Sequence, residues 1–203
     1  MELTHADLET LALLTWNVRL ATAPQLEVFQ PGTTGRIEPL CEARLVKSAV
    51  MVVSIPAFDE PLCRWFPGDG LPNFGGLSHR MIQRRRRAAR HRMKVYWALP
   101  RAVRMVGGAG GRLRQPHQAE HDLGVTEVYL VRRRLDSCSE LRWLGEDSFK
   151  KLFRPRGKMP DAVLCDHDGN VHVAIEYGGL YPVKRLCRFH QHCARRSIPY
   201  EIW

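Results

Sequence analysis

Residues 159–179 read MPDAVLCDHDGNVHVAIEYGG, and this stretch constrains the fold more than any other. Asp168-Gly169 and Gly169-Asn170 are both hairpin-turn dipeptides, and the flanking runs are rich in Val, Ile and Ala, so the segment predicts a β-hairpin. Folding about Gly169 brings Asp161, which follows Pro160, and Glu176 to the same end of the two strands. The residues between them are mostly apolar, among them Val163, Leu164, Val173 and Ile175. Carboxylates at the margin of an apolar hairpin are expensive to desolvate unless they meet a cation or hydrogen-bond donors. Two carboxylates completed by water suit Mg²⁺ or Mn²⁺, which ask for octahedral oxygen ligation. An ion so held activates water and polarises a phosphate. The alternative is a structural pair, with Asp161 capping a turn and Glu176 facing an Arg.

Around the hairpin the second half of the chain reads α-β-β-β-α-β. Residues 116–127 predict a helix, and VTEVYLVRRR reads either as its continuation or as a strand. LRWLGE is a strand, residues 180–196 form a basic amphipathic helix with Leu186 and Phe189 inward, and IPYEIW closes as a strand. In the first half, Thr4 with Asp7 reads as a capping box opening a helix, and Thr22 caps a second with Pro24 in its first turn. Residues 35–47 predict a third helix, followed by a hairpin of VMVVSIP with LCRWF. Three short helices and a two-stranded hairpin are the order of a winged helix-turn-helix, whose third helix enters the major groove. Here that helix carries Arg36, Arg44 and Lys47 beside Glu38 and Glu42. GGAGG at 107–111 offers no side chain to pack and predicts a boundary. The expected class is therefore α+β: a winged-helix domain over 1–106, a linker over 107–115 and an α/β domain over 116–203.

The formal net charge of +10 is concentrated in one place. Residues 76–118 hold 12 basic side chains and no acidic one, and nearly all are Arg, whose planar fork pairs with phosphate oxygens better than a Lys point charge does. A helix over about 77–93 carries Arg80, Arg84, Arg85, Arg86, Arg87, Arg90 and Arg92, with Arg80, Arg84, Arg87 and Arg90 on one side. Such a block repels itself unless something negative lies against it, which points to a nucleic-acid backbone. With Tyr96 and Trp97 as the segment's aromatics, duplex phosphate contact is favoured over base stacking, and RNA stays open as a partner. A solvated helix face is the bland alternative.

The layout Pro160-Asp161, variable hairpin, Glu176-Tyr177-Gly178 within α-β-β-β-α-β resembles the PD-(D/E)xK nuclease superfamily. Its third signature position, a Lys, is Gly178 here; Lys184, Lys158 or Arg185 would have to stand in. A broader resemblance joins the N-terminal helices to His121-Asp122-Leu123, Val125, Glu127-Val128-Tyr129, Trp143-Leu144, Glu146, Pro160-Asp161-Ala162-Val163 and Ile175-Glu176. On these residues the chain resembles the plasmid replication-relaxation family: a winged helix-turn-helix joined to a diverged nuclease-like domain, found on plasmids and other mobile elements. The resemblance implies Glu127 as the helix-borne acidic group beside the pair Asp161 and Glu176, with His121 on the same helix. The family usually has a further acidic residue just after the Glu, where this chain has Gly178.

Cys187, His190, His192 and Cys193 lie close together, with Cys165 and His167 on the hairpin, yet their spacing matches no standard zinc site. Six cysteines spread over 203 residues do not make a disulfide framework. No apolar run approaches the roughly 20 residues of a membrane helix, and MELTHADLETLALL lacks the basic start of a signal peptide. The 44% apolar content is enough for a core. The expectation is a cytoplasmic, non-membrane protein that binds DNA through its basic helix and winged module. A metal-dependent DNA endonuclease using Asp161 and Glu176, with Lys184 or Lys158 near the water, is the second reading. A third is a scaffold subunit of a mobile-element or defence complex.

Overall fold

The computed structural model describes residues 2–110, 116–135, 140–154 and 159–203. Among these the chain is of mixed α+β class, with two sheets. The first half begins with α1 (His5–Ala12), α2 (Ala23–Phe29) and α3 (Ile37–Glu42), with the short strand β1 (Ala21–Thr22) between the first two. Both helix starts carry complete capping boxes, Thr4 with Asp7 and Thr22 with Gln25. α1 continues through a π-helical turn at Leu13–Asn17. The third helix is shorter than the sequence suggests, because Arg44 turns the chain out at φ 56 and the next strand begins at Val46. Arg36 therefore precedes α3, Arg44 follows it and Lys47 lies on a strand.

Strand β2 (Val46–Val53) does not pair with LCRWF. Its antiparallel partner is β4 (His91–Ala98), in an eight-residue register from Val46↔Ala98 to Val53↔His91. LCRWF supplies only the three residues of β3 (Cys63–Trp65), which pair with β8 (Tyr200–Ile202) at the far end of the chain. The reason is reach: an eight-residue strand is satisfied along its whole ladder only by one of equal length. Between β2 and β4 the chain makes an excursion that holds β3 and α4 (Phe74–Arg87). The Arg-rich helix ends at Arg87, where Ala88 is extended, so Arg90 lies beyond it and Arg92 is on β4.

The first sheet has the order β1-β4-β2. One face, with Ala21, Val46, Tyr96 and Ala98, packs on Leu11, Leu14, Leu26, Ile37 and Leu40. The other, with Val53, Val95 and Trp97, packs on Ala119 and Leu123 of α6 (Pro116–Leu135). A short α5 (Pro100–Val106) links the halves. Helix α6 turns a second apolar side, Val125, Val128 and Val131, to the other sheet. An apolar helix covered on two sides has no single stripe, which is why VTEVYLVRRR is ambiguous as sequence; it continues the helix.

The second sheet has the order β3-β8-β7-β6-β5, where β5 is Arg142–Gly145, β6 Ala162–Cys165 and β7 Val171–Glu176. Strands β5, β6 and β7 run antiparallel, and β8 lies parallel to β7 after the crossover helix α8 (Val183–Ala194). One helix absent from the sequence reading, α7 (Glu146–Phe153), sits between β5 and β6. α4 and α8 cover the face opposite α6, burying Leu77, Met81, Leu186 and Phe189 on Ala174, Tyr200 and Ile202. Sheet pairing thus crosses the boundary expected near residue 107. Nor does the described part of GGAGG behave as a spacer: the N–H groups of Ala109 and Gly110 donate to the Thr15 carbonyl at 2.9 and 3.2 Å. A Cβ on Gly108 would stand 2.4 Å from that oxygen, so the missing side chain is what permits the contact. None of the described helices is long and apolar enough to cross a membrane.

Candidate functional site

The hairpin register pairs Ala162 with Ile175, which places Asp161 and Glu176 at one end of the sheet. The Asp161 carboxylate accepts the Tyr177 backbone N–H at 2.8 Å and faces His121 Nε2 at 3.3 Å. Burial on its own would push the Asp161 pKa up, but the His121 charge, the Tyr177 N–H and nearby Arg185 outweigh it and hold the carboxyl below its ordinary value. His121 shows the mirror image. Burial pushes its imidazole down, yet Asp161 and Asp122 hold it up at about 10, so it stands protonated at neutral pH. Glu176 is buried at 1% exposure, with Arg185 Nη2 3.9 Å from its carboxylate. The Arg185 guanidinium lies 3.5 Å from the Tyr181 ring centre and donates to the Tyr181 hydroxyl. Burial, then the charges of Asp161 and Glu176, drive the Tyr181 phenol far above its ordinary pKa.

Each carboxylate is thus matched by a cation of the protein itself, Asp161 by His121 and Glu176 by Arg185. Mg²⁺ would need about six oxygens near 2.1 Å. The Asp161 Oδ2 is already engaged by an N–H and an imidazole, and among the described residues no three His, Cys, Asp or Glu side chains converge on a metal position. A cation at this end of the hairpin would compete with His121 and Arg185 for the two carboxylates.

Gly178, where the nuclease resemblance would expect a Lys, is closely packed. Gly178 follows Glu176 by two residues, and a Cβ there would stand 1.3 Å from the Met81 methyl of α4. The space a longer side chain would take is filled by the Arg-rich helix. Of the stand-ins, Arg185 reaches Glu176, Lys184 is exposed on the first turn of α8, and Lys158 lies outside the described residues. Glu127 is not at this site; it accepts from Gln25 Nε2 at 3.1 Å, toward α2.

A second charged cluster adjoins His121. Arg19 reaches Asp147 at 2.6 Å, Glu146 at 2.7 Å and Asp122 at 3.4 Å, around a cavity of about 30 Å³ that also borders Asp161. That volume suits a water or two. Two adjacent carboxylates at the start of a helix, Glu146 and Asp147, are a visible signal; Arg19, 127 residues from Glu146, is not.

The basic residues divide sharply. Arg36 is committed to the buried Asp7, and Lys94 lies 2.6 Å from Glu38. Arg85 and Arg90 share Glu120, while Arg80 donates to the Leu62 carbonyl at 3.0 Å. Arg86, Arg87 and Arg92 are exposed and meet no carboxylate among the described residues, as do Arg44 and Lys47. Arg84 is half-buried, its guanidinium 5.1 Å from the Phe58 ring centre. His190 is a core residue, 3.0 Å from the Tyr200 hydroxyl and edge-on to Trp65; Cys193 is buried and Cys187 half-buried beside it.

No family model matches this chain, and no curated protein or solved structure matches it either.

Proposed function

We propose that this chain binds duplex DNA by its phosphates through α4 and the flanking wing, and that the nuclease-like half is the scaffold that presents them. The observation that carries the reading is the last turn of α4. It holds Arg84–Arg87, and of these only Arg85 has a carboxylate partner among the described residues. Guanidinium groups left without counter-charges at a surface are what a polyanion recognises. The element order α1-β1-α2-α3-β2-β4 with sheet order β1-β4-β2 supports a winged helix-turn-helix in the first half, with α4 carried in an enlarged wing. The order α6-β5-α7-β6-β7-α8-β8, which with α7 as an insertion is α-β-β-β-α-β, supports a PD-(D/E)xK-like frame in the second. Both supports are in keeping with what the resemblance to replication-relaxation proteins of mobile elements implies.

The endonuclease reading draws on one observation, the juxtaposition of Asp161 and Glu176. Against it stand the matching cations His121 and Arg185 and the filled space beside Gly178. Incubating the chain with supercoiled plasmid, with and without Mg²⁺ or Mn²⁺, separates the two. The expected result is intact plasmid whose mobility shifts at low salt and recovers at high salt. Metal-dependent nicking abolished by Glu176→Ala would overturn the binding-only reading.

A further inference from the structure

We infer that the groove between α4 and the loop at residues 56–57 is a discrete phosphate site anchored by Arg84. It rests on the reading of α4 as a phosphate-binding helix and narrows that reading to one seat. The groove encloses about 530 Å³, within the size range of ligand sites. Pro56 and Ala57 form one wall; His79, Arg80, Arg84 and Arg87 form the other. No Asp or Glu lines it. Arg84 is the unusual member. Its Nη1 is buried with no hydrogen-bond partner among the described residues, and its plane is backed by Phe58. Burial lowers its pKa, an effect that Tyr177 opposes and the neighbouring Arg80 charge adds to. A half-buried guanidinium lacking a counter-ion is costly. Its neighbour Arg85 shows how this fold neutralises an arginine it keeps for itself: Glu120 lies against it.

An anion with several oxygens supplies what Arg84 lacks. Arg80, Arg84 and Arg87 all line the groove, and three guanidinium groups around one space suit a tetrahedral phosphate. The phosphate can come from a nucleic-acid backbone or from a free phosphate ester, and two measurements on the full chain distinguish these sources. The first is thermal unfolding in inorganic phosphate against chloride at matched ionic strength. The second is fluorescence anisotropy with a labelled duplex. Each is run on the wild type, Arg84→Met, Arg87→Gln at the groove mouth, and the exposed control Arg86→Gln.

The expected result is protection by phosphate of a few degrees in the wild type and Arg86→Gln, reduced in Arg87→Gln and lost in Arg84→Met. Duplex affinity should fall about tenfold in Arg84→Met and about threefold or less in Arg86→Gln, with a salt slope lower by about 0.9 for each lost contact. Should Arg84→Met fold poorly, Arg87→Gln carries the test. Phosphate protection that depends on Arg84 or Arg87 without duplex binding would keep the site, assign it to a free phosphate ester and sink the DNA reading. Duplex binding with no phosphate protection, and with Arg84→Met and Arg87→Gln no weaker than Arg86→Gln, would overturn the site and leave the DNA reading standing. Neither binding would remove both.

Discussion

α3 is nominated for nucleic acid by its place in a winged-helix order and α4 by its arginines, and the fold treats their charges in opposite ways. At α3 the charges are consumed internally or scattered: Arg36 is paired with Asp7, Glu38 takes Lys94, Arg44 sits at φ 56 past the helix and Lys47 is on β2. At α4 four consecutive arginines occupy one helix end, and a single carboxylate, Glu120, answers Arg85 with help from none of the others on the helix. The end of a helix also tolerates cations well, because its free carbonyls are partly negative. A surface for an anionic partner is therefore defined by the cations a fold leaves uncompensated; the number of cations in a segment says less.

The largest test of this contrast is the triple replacement of Arg80, Arg86 and Arg87 by Gln against the double replacement of Arg44 and Lys47. By anisotropy titration the triple should lose about a hundredfold in duplex affinity, with a salt slope shallower by about 2.7, at about 0.9 per phosphate contact. The double should change affinity a few-fold. Equal losses would erase the distinction between the helices.

Next in size is the contact that seats α4. Gly178→Ala should destabilise by about 1–3 kcal/mol in urea unfolding, because the new methyl must displace Met81. Combining it with Met81→Ala should give less than the sum of the single effects, since the smaller side chain vacates the space. Strict additivity would mean that Met81 and Gly178 do not share the position.

A smaller effect is expected from Arg36→Gln. It should lower the urea midpoint by freeing the buried Asp7 while leaving duplex affinity within about twofold, whereas Arg86→Gln should leave the urea midpoint unchanged. Loss of affinity without loss of stability would return α3 to the interface.

The smallest is a pH dependence. His121 has its pKa raised in the fold to about 10, so its contribution is fully present below its unfolded value near 6.5 and is lost as pH rises through about 10. Asp161, with its pKa lowered, contributes above its ordinary value and loses that contribution as pH falls. The stability gap between wild type and His121→Gln should therefore be widest just below about pH 6.5 and shrink steadily from there to about pH 10. A gap that widens above pH 10 would refute the His121–Asp161 pair.

Local chemistry made much of this protein legible. Thr4 and Thr22 announce their helices, because a capping box is complete within four residues. Gly169, at φ 87, sets the hairpin that brings Asp161 and Glu176 together. The rest depends on partners far apart in sequence. β2 has two apolar candidates to pair with, and only the assembled sheets decide for β4. Glu127 and Asp122 lie five residues apart on one helix, yet the first turns to Gln25 and the second to Arg19. Gly178 reads as a lost catalytic group until Met81 is found in its place.

By itself the sequence determined the α+β class, the hairpin, the capped helices and the existence of one intensely basic segment, since each follows from turn chemistry, periodicity or composition within a short window. The tertiary structure alone decided which arginines keep their charge free, which cations answer Asp161 and Glu176, and how one helix serves two sheets. Those outcomes hang on the approach of side chains carried by separate elements, such as Arg85 and Glu120 or His121 and Asp161, where burial and Coulomb attraction act on whatever the packed core brings within a few ångströms.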